Sequence, residues 1–393
     1  MNEMFKNALP VLKRLEDEGY RAYFVGGCVR DLLLDRPIKD IDIASSARPK
    51  DVQEIFPKTI PVGIEHGTVI VRHESVSYEV TTFRKEDEYK DYRRPSKVWF
   101  VDDLKEDLSR RDFTFNAMAM DISFQLIDHF GGRDDLERKQ IRTVGDPNLR
   151  FSEDPLRIMR ACRFMSVFNM AIERKTEQAI KEKACLLSRI STERIAIEFI
   201  KLLQGEQAGS VLKFMQERSV LNHLPTKLQE KQSDLYKDFD WNALESDEQR
   251  WTAILLLSDV SDDRAFLKSW KLPNHMIKKV EKLMSAYGII SWRKMDLYRC
   301  GLETAISSIT LKSAIEKKDN AEEIAQLKQR YREIPIKSRK DIPLDGQDII
   351  EITQREPGIW LGKLLEEMEK KIVEGELALN STALQDWVKR WEP

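Results

Sequence analysis

A glycine pair and two carboxylates carry the first chemical signal in the chain. Gly26-Gly27 is followed, after twelve residues, by Asp40-Ile41-Asp42. Residues one apart on an extended segment point to the same face. Asp40 and Asp42 can therefore hold a divalent cation jointly, and hard oxygen ligands suit Mg²⁺. The glycines stand where an apolar strand, Ala22-Tyr23-Phe24-Val25, would end, and they let backbone N–H groups close on a phosphate. A phosphate cradle beside a cation-binding acid pair implies nucleotidyl transfer. In that chemistry one metal activates the attacking 3′-hydroxyl and a second steadies the triphosphate and the leaving pyrophosphate.

Arginines recur in three places around this pair. Arg30 and Asp31 follow the glycines at the expected start of a helix, and Arg110-Arg111-Asp112 forms a second cluster. Two arginines beside an aspartate can bind phosphate or a ribose hydroxyl while the acid fixes one guanidinium. The third place is Glu153-Asp154-Pro155-Leu156-Arg157-Ile158-Met159-Arg160-Ala161-Cys162-Arg163. Asp154 just ahead of Pro155 is sound helix-start chemistry, and by itself reads as an N-cap. Its other reading rests on geometry. Residues three apart are neighbours on a helix, so Asp154 and Arg157 can offer an acceptor beside a donor. Cytosine and adenine each show an exocyclic amine beside an acceptor nitrogen, which that pair satisfies. Guanine and uracil reverse every polarity, leaving buried polar groups unpaired at about 1–3 kcal/mol each. Further three-residue steps rotate about 60° each time, which carries Arg160 and Arg163 toward phosphate, ribose or structural pairing.

The elements that must position these groups fall into two regions. Ala22–Val25, Asp40–Ala44, Gly67–Arg72, Ser77–Phe83 and Gln125–Asp128 read as strands, all within the first 130 residues. Beyond residue 150, Pro155–Phe168, Thr192–Leu203, Ala208–Leu221, Glu245–Ser258, His275–Tyr287 and Leu361–Glu374 repeat apolar residues at helical spacing. The expected architecture is α+β, a sheet domain followed by an elongated all-helical part. Gly145-Asp146-Pro147-Asn148 is the clearest break. At 393 residues two to four units are expected. The formal net charge of −2 leaves no global nucleic-acid footprint, so a nucleic-acid enzyme must use local basic patches. One candidate runs from Lys268 to Arg299, where eight basic residues face two acids and Trp270, Tyr287 and Trp292 are interleaved. It could track an RNA backbone or be a solvated helix face. Four scattered cysteines without a C-x-x-C pair fit neither a zinc site nor a disulfide framework. The first twenty residues read as an amphipathic helix, and no apolar run approaches membrane-spanning length. A cytoplasmic location with no membrane partner is the expectation.

Gly26-Gly27-Cys28-Val29-Arg30-Asp31 with the spaced Asp-x-Asp, Arg110-Arg111-Asp112-Phe113-Thr114-Phe115-Asn116-Ala117, and the Glu153–Arg163 segment together resemble the class II tRNA nucleotidyltransferases. These are the CCA-adding enzymes of bacteria and eukaryotes with their poly(A) polymerase relatives, within the superfamily that includes DNA polymerase β. The likeness is dense over roughly the first 200 residues and thinner afterwards. It implies a nucleotidyltransferase head (1–147), a base-recognising neck (148–205), a body (206–305) and a tRNA-binding tail (306–393). It implies CTP, ATP and tRNA as substrates, Mg²⁺ as cofactor, and a homodimer. It adds Glu79, in Tyr78-Glu79-Val80-Thr81, as third catalytic carboxylate beside Asp40 and Asp42. Gly27, Arg30, Arg111, Asp154, Arg157, Arg160 and Arg163 become nucleotide contacts, with Arg110 and His66 left ambiguous. The charged, aromatic stretch Lys85–Ser96 reads as a mobile loop of the kind CCA-adding relatives carry between these motifs, and its presence favours complete CCA synthesis. Glu356-Pro357-Gly358-Ile359-Trp360-Leu361-Gly362 resembles a family C-terminal segment and reads as a helix-start turn. With five histidines and no His-Asp pair, the chain is not expected to have the phosphohydrolase activity of some bacterial relatives. The alternatives are a poly(A) polymerase or partial (CC- or A-only) adder on the same scaffold, and a non-catalytic RNA-binding protein on a decayed one.

Overall fold

The computed structural model describes residues 2–86, 98–226, 228, 233–258 and 260–392. Most of the Lys85–Ser96 stretch lies outside them. The chain forms two compact units, Met1–Lys237 with Ser269–Lys271, and Asp238–Lys268 with Leu272–Pro393.

The first unit opens with an amphipathic helix, Glu3–Asp17, capped by the Asn2 side chain, which accepts from the Met4 N–H at 2.9 Å. Among the described residues eleven strands follow: β1 (Ala22–Val25), β2 (Asp42–Ser45), β3 (Thr59–Ile60), β4 (Thr68–His73), β5 (Val76–Thr82), β6 (Arg84–Glu86), β7 (Val98–Phe100), β8 (Met118–Met120), β9 (Leu126–Asp128), β10 (Gln140–Ile141) and β11 (Ala171–Ile172). Seven make one sheet in the order β3-β4-β5-β2-β1-β8-β9. Every neighbouring pair is antiparallel except β2 and β5, which run parallel with Asp42 opposite Glu79. Central β1 is nearly all buried, with Phe24 packed edge-on against Phe5 of the first helix at 4.7 Å. Val25, Ala44, Leu104, Leu108, Ala117 and Ala119 make a separate cluster that seats the short helix Leu104–Ser109.

Five strands lie where the sequence places them, with ends shifted by up to two residues. The largest shift concerns the acid pair, since β2 starts at Asp42 and Asp40 lies just before it, exposed. β3, β6, β7, β8, β10 and β11 were not expected, and β11 lies in the part read as all-helical. All six are only two or three residues long, too short for an alternation to register.

Helices occupy the rest. Asp146 caps Pro147–Glu153, accepting from the Asn148 N–H at 3.0 Å. Leu156–Phe168 follows and packs against Thr192–Leu203. Their crossing is close at Gly205, where a Cβ would sit 2.5 Å from the Ser166 carbonyl carbon. Phe164 is clasped by Phe113 and Phe115, with centroids 5.6 and 5.3 Å away, which locks the second arginine cluster's segment to this helix. Among its described residues the second unit has helices and no strand, around a core that includes Leu297, Ile309, Ile349, Leu364, Met368 and Leu384. Its helix Ile359–Glu374 starts directly after Gly358, at the turn expected there.

Candidate active site

Gly26 ends β1 and caps the helix Gly27–Leu33 at φ +72°. A Cβ there would meet Arg111 Nη1 at 2.8 Å and sit 3.9 Å from Asp42 Oδ2. Only glycine lets the arginine and the acid close over this turn. Asp42 faces Glu79 across the parallel β2–β5 pair. Burial first, then the charges of Asp40 and Glu79, push the Asp42 carboxyl up to about 6 against the pull of Arg111. Three acids thus crowd the paired β2 and β5 strands, with Arg111 opposing them at Asp42. Such an excess of negative oxygen donors suits a divalent cation, and Asp40 and Asp42 are the residues that could hold it. No three His, Cys, Asp or Glu side chains form a ready-made cation cage among the described residues. Cys28 is inert: burial drives its thiol up to about 12, and it donates to the Val25 carbonyl at 3.2 Å.

A cleft of about 700 Å³ opens beside these acids. Eight arginines line it (Arg30, Arg84, Arg110, Arg111, Arg157, Arg160, Arg163 and Arg194), against Asp42, Asp112 and Asp154. That imbalance fits a polyanion such as a nucleoside triphosphate. The cleft brings together Gly27, Arg30, Asp42, Arg111, Asp154, Arg157, Arg160 and Arg163 from the sequence reading. Asp40 and Glu79 are not on its lining; both are exposed, Asp40 just before β2 and Glu79 opposite Asp42 on β5.

The arginines are held by partners the sequence did not announce. Asp107, with its side chain fully buried, accepts from Arg110 Nη2 at 2.9 Å, from Arg111 Nη2 at 3.3 Å and from the Arg84 N–H at 3.2 Å. Burial alone would raise its pKa, but the two guanidiniums outweigh that and hold it below the usual carboxylate range. The acid fixing the double arginine is therefore Asp107, one helical turn earlier, and not Asp112. Asp112 instead binds Arg160, whose Nε donates to it at 2.7 Å, and accepts from Asn116 Nδ2 at 3.0 Å. Burial pushes the Asp112 carboxyl up, yet Arg160, Asn116 and Arg157 overcome this and leave it at about 2.

Asp154 closes the helix Pro147–Glu153 and precedes Leu156–Phe168, so it shares no helix with Arg157. Its carboxylate accepts from the Leu156 N–H at 3.1 Å and from Arg194 Nη2 at 2.9 Å. Cap chemistry and a place in the cleft coexist. Arg157, 7% exposed, donates to Glu153 at 2.9 Å and to the backbone carbonyls of Arg150 and Arg110 at 3.3 and 3.0 Å. Arg163 pairs with Glu198 at 3.0 Å and lies over the Phe164 ring at 4.4 Å. Arg194 and Glu198 come from one face of Thr192–Leu203, at i,i+4. That spacing was the one signal for them, and it looks like any surface ion pair. Arg84 also lines the cleft and donates to the carbonyl of His66, another lining residue.

Three segments match described families. Residues 22–142 match the Poly A polymerase head domain, 169–228 the probable RNA and SrmB-binding site of polymerase A, and 242–388 the putative tRNA nucleotidyltransferase domain 2. The chain is 43% identical over 394 residues to the CCA-adding enzyme of Geobacillus sp. (strain WCH70), covering 99% of this chain and 97% of that one. It is 44% identical over 395 residues to the CCA-adding enzyme of Lactococcus lactis, covering 99% and 98%. The crystal structure of the Bacillus stearothermophilus CCA-adding enzyme in complex with CTP matches with a TM-score of 0.92 at 41% identity, over 99% of this chain and 97% of that one. The Thermotoga maritima enzyme complexed with tRNA shares the fold, with a TM-score of 0.63 at 22% identity over 99% and 95%.

Proposed function

The chain belongs to the CCA-adding enzymes, which are tRNA nucleotidyltransferases, and on that premise we propose that it builds and repairs the 3′-terminal CCA of tRNA from CTP and ATP in the cleft described above, releasing pyrophosphate. The observation that supports this best is the meeting, in one cleft, of the Asp42 edge with an arginine wall ending at Asp154 and Arg157.

Asp40 and Asp42 would hold Mg²⁺, which when bound supplies a positive centre for the triphosphate and acidifies the attacking hydroxyl. Glu79, opposite Asp42 on the neighbouring strand, accepts the proton of the tRNA 3′-hydroxyl. The Gly27 N–H at the helix start, Arg30 and Arg111 bind the triphosphate and balance its charge. Asp154 accepts from the base's exocyclic amine and Arg157 donates to its ring nitrogen, a pairing that C and A share. Arg160 and Arg163 complete the nucleotide contacts from the next two turns of the same helix. We further propose a head (1–147), neck (148–205), body (206–305) and tRNA-binding tail (306–393), a homodimer, and a cytoplasmic location. No helix among the described residues is long and apolar enough to cross a membrane.

The deciding experiment incubates the protein with tRNAs lacking CCA, CA or A and with each labelled nucleotide. The expected result is completion to CCA, with no incorporation from GTP or UTP. Addition stopping after CC, or long ATP tails, would overturn the assignment, and light scattering checks the dimer.

A further inference from the structure

Asn116 is 6% exposed and sits between the two walls of the cleft. Its side-chain oxygen accepts from Arg30 Nη1 at 2.6 Å, and its nitrogen donates to Asp112 at 3.0 Å. Among side chains of that length only a carboxamide offers an acceptor on one atom and an uncharged donor on another. The cation on one side and the anion on the other fix which way it points. Arg30 arises from the helix Gly27–Leu33, whereas Asp112 grips Arg160 of the helix Leu156–Phe168. One amide therefore joins elements that the sequence holds far apart.

The donors of Arg30 can be counted. Nε and Nη2 donate to the Asp31 carboxylate at 2.9 Å each, and Nη1 donates to Asn116. The guanidinium lies over the Phe168 and Phe164 rings at 4.8 and 5.4 Å. Two of its five N–H groups remain, one on each terminal nitrogen. Nη2 is 3.6 Å from where a Gly27 Cβ would stand, which places that nitrogen beside the glycine turn.

We propose that Asn116 is a positioning residue for nucleotide binding: its carboxamide fixes Arg30 beside Gly27 and the Asp112–Arg160 pair opposite, setting the two cationic walls as one unit. This rests on the nucleotide site proposed above and assigns Asn116 a role exerted through Arg30 and the Asp112–Arg160 pair. Asn116→Asp keeps the acceptor for Arg30 but sets a second carboxylate against Asp112, and Asn116→Ala removes both bonds.

The test measures CTP binding without tRNA, and single-nucleotide addition to tRNA lacking CCA. Both variants are expected to weaken CTP binding about tenfold or more while kcat at saturating CTP stays within about threefold. In the Arg30→Ala background, adding Asn116→Ala should cost less than it does in wild type, because the Arg30 share of the effect is already gone while the Asp112–Arg160 share remains. CTP affinity within about twofold of wild type in either folded variant, a loss confined to kcat, or fully multiplicative effects would each overturn the proposal. Asn116→Asp has the native shape, so the test survives a misfolded alanine variant. If the wild type bound CTP but transferred none to tRNA, the functional reading would fail while the binding comparison still judged Asn116.

Discussion

Asp42 is poised between two demands. Its carboxyl is raised to about 6 by burial and by Asp40 and Glu79, so the folded chain holds its proton more tightly than the unfolded chain, where the usual value applies. Stability is therefore lost as pH rises from about 4 to about 6, at a cost on the order of 1–2 kcal/mol after allowing for partial exposure. Asn at this position should raise Tm in chelator at pH 7.5, while nucleotide addition falls at least about 100-fold. Calorimetry beside an extension assay checks both, and a lower Tm would contradict the electrostatic account. The same proton competes with the cation, so the Mg²⁺ concentration for half-maximal addition should climb as pH drops below about 6. Asp112 works in the opposite sense. At about 2 its carboxyl is lower than in the unfolded chain, so its contribution is present above pH 4 and disappears as pH falls toward 2. Asp112→Ala should destabilise by about 1–3 kcal/mol, since it removes the acceptor shared by Asn116 and the part-exposed Arg160; urea denaturation reads this. Most of the residues that meet in the cleft were legible because glycines, acids and arginines stood in short, spaced strings. Asp107, Arg194 and Glu198 did not stand out, because they matter through tertiary contact and carry the composition and spacing of ordinary helix surface.

Helix and strand signals were legible in proportion to length. Leu156–Phe168, Thr192–Leu203 and Asn274–Tyr287 run for 13, 12 and 14 residues and appear within a residue of their expected ends. β8 spans three residues yet pairs with central β1, since burial on both sides compensates for brevity without leaving an alternating pattern. The β4–β5 hairpin turns through Glu74 and Ser75, both at positive φ, where Asn-Gly would have been the recognisable sign. Gly26 matters at this scale because it joins strand to helix beneath Arg111. Gly26→Ala combines a strained φ with a 2.8 Å contact and should weaken CTP binding at least about tenfold while circular dichroism stays native. Gly205→Ala, 2.5 Å from Ser166 backbone, should instead lower Tm with little change in CTP affinity, costing roughly 1–3 kcal/mol by overpacking the crossing.

At the scale of the whole molecule the basic stretch from Lys268 to Arg299 changes character. Trp270 is fully buried and stacked on Phe199 at 4.8 Å, and Trp292 belongs to the core of the helical unit. Neither is a platform for bases, so that part of the sequence reading fails: large aromatics among lysines look alike whether they face solvent or core. Lys278 and Lys282 stay exposed one turn apart. Replacing both with alanine should raise KM for tRNA and leave KM for CTP unchanged. Raising salt from about 50 to 200 mM should weaken tRNA binding tenfold or more if several phosphates are contacted.

The hold on Arg157 reaches furthest. Two of its bonds end on main-chain oxygens, those of Arg110 and Arg150, and no exchange of side chains at those two sites removes a peptide carbonyl. A lineage can therefore drift at both places without loosening the arginine. On the base-reading role proposed for Arg157, nucleotide choice should therefore survive substitution at Arg110 or Arg150 better than loss of Glu153, whose side chain supplies the third bond.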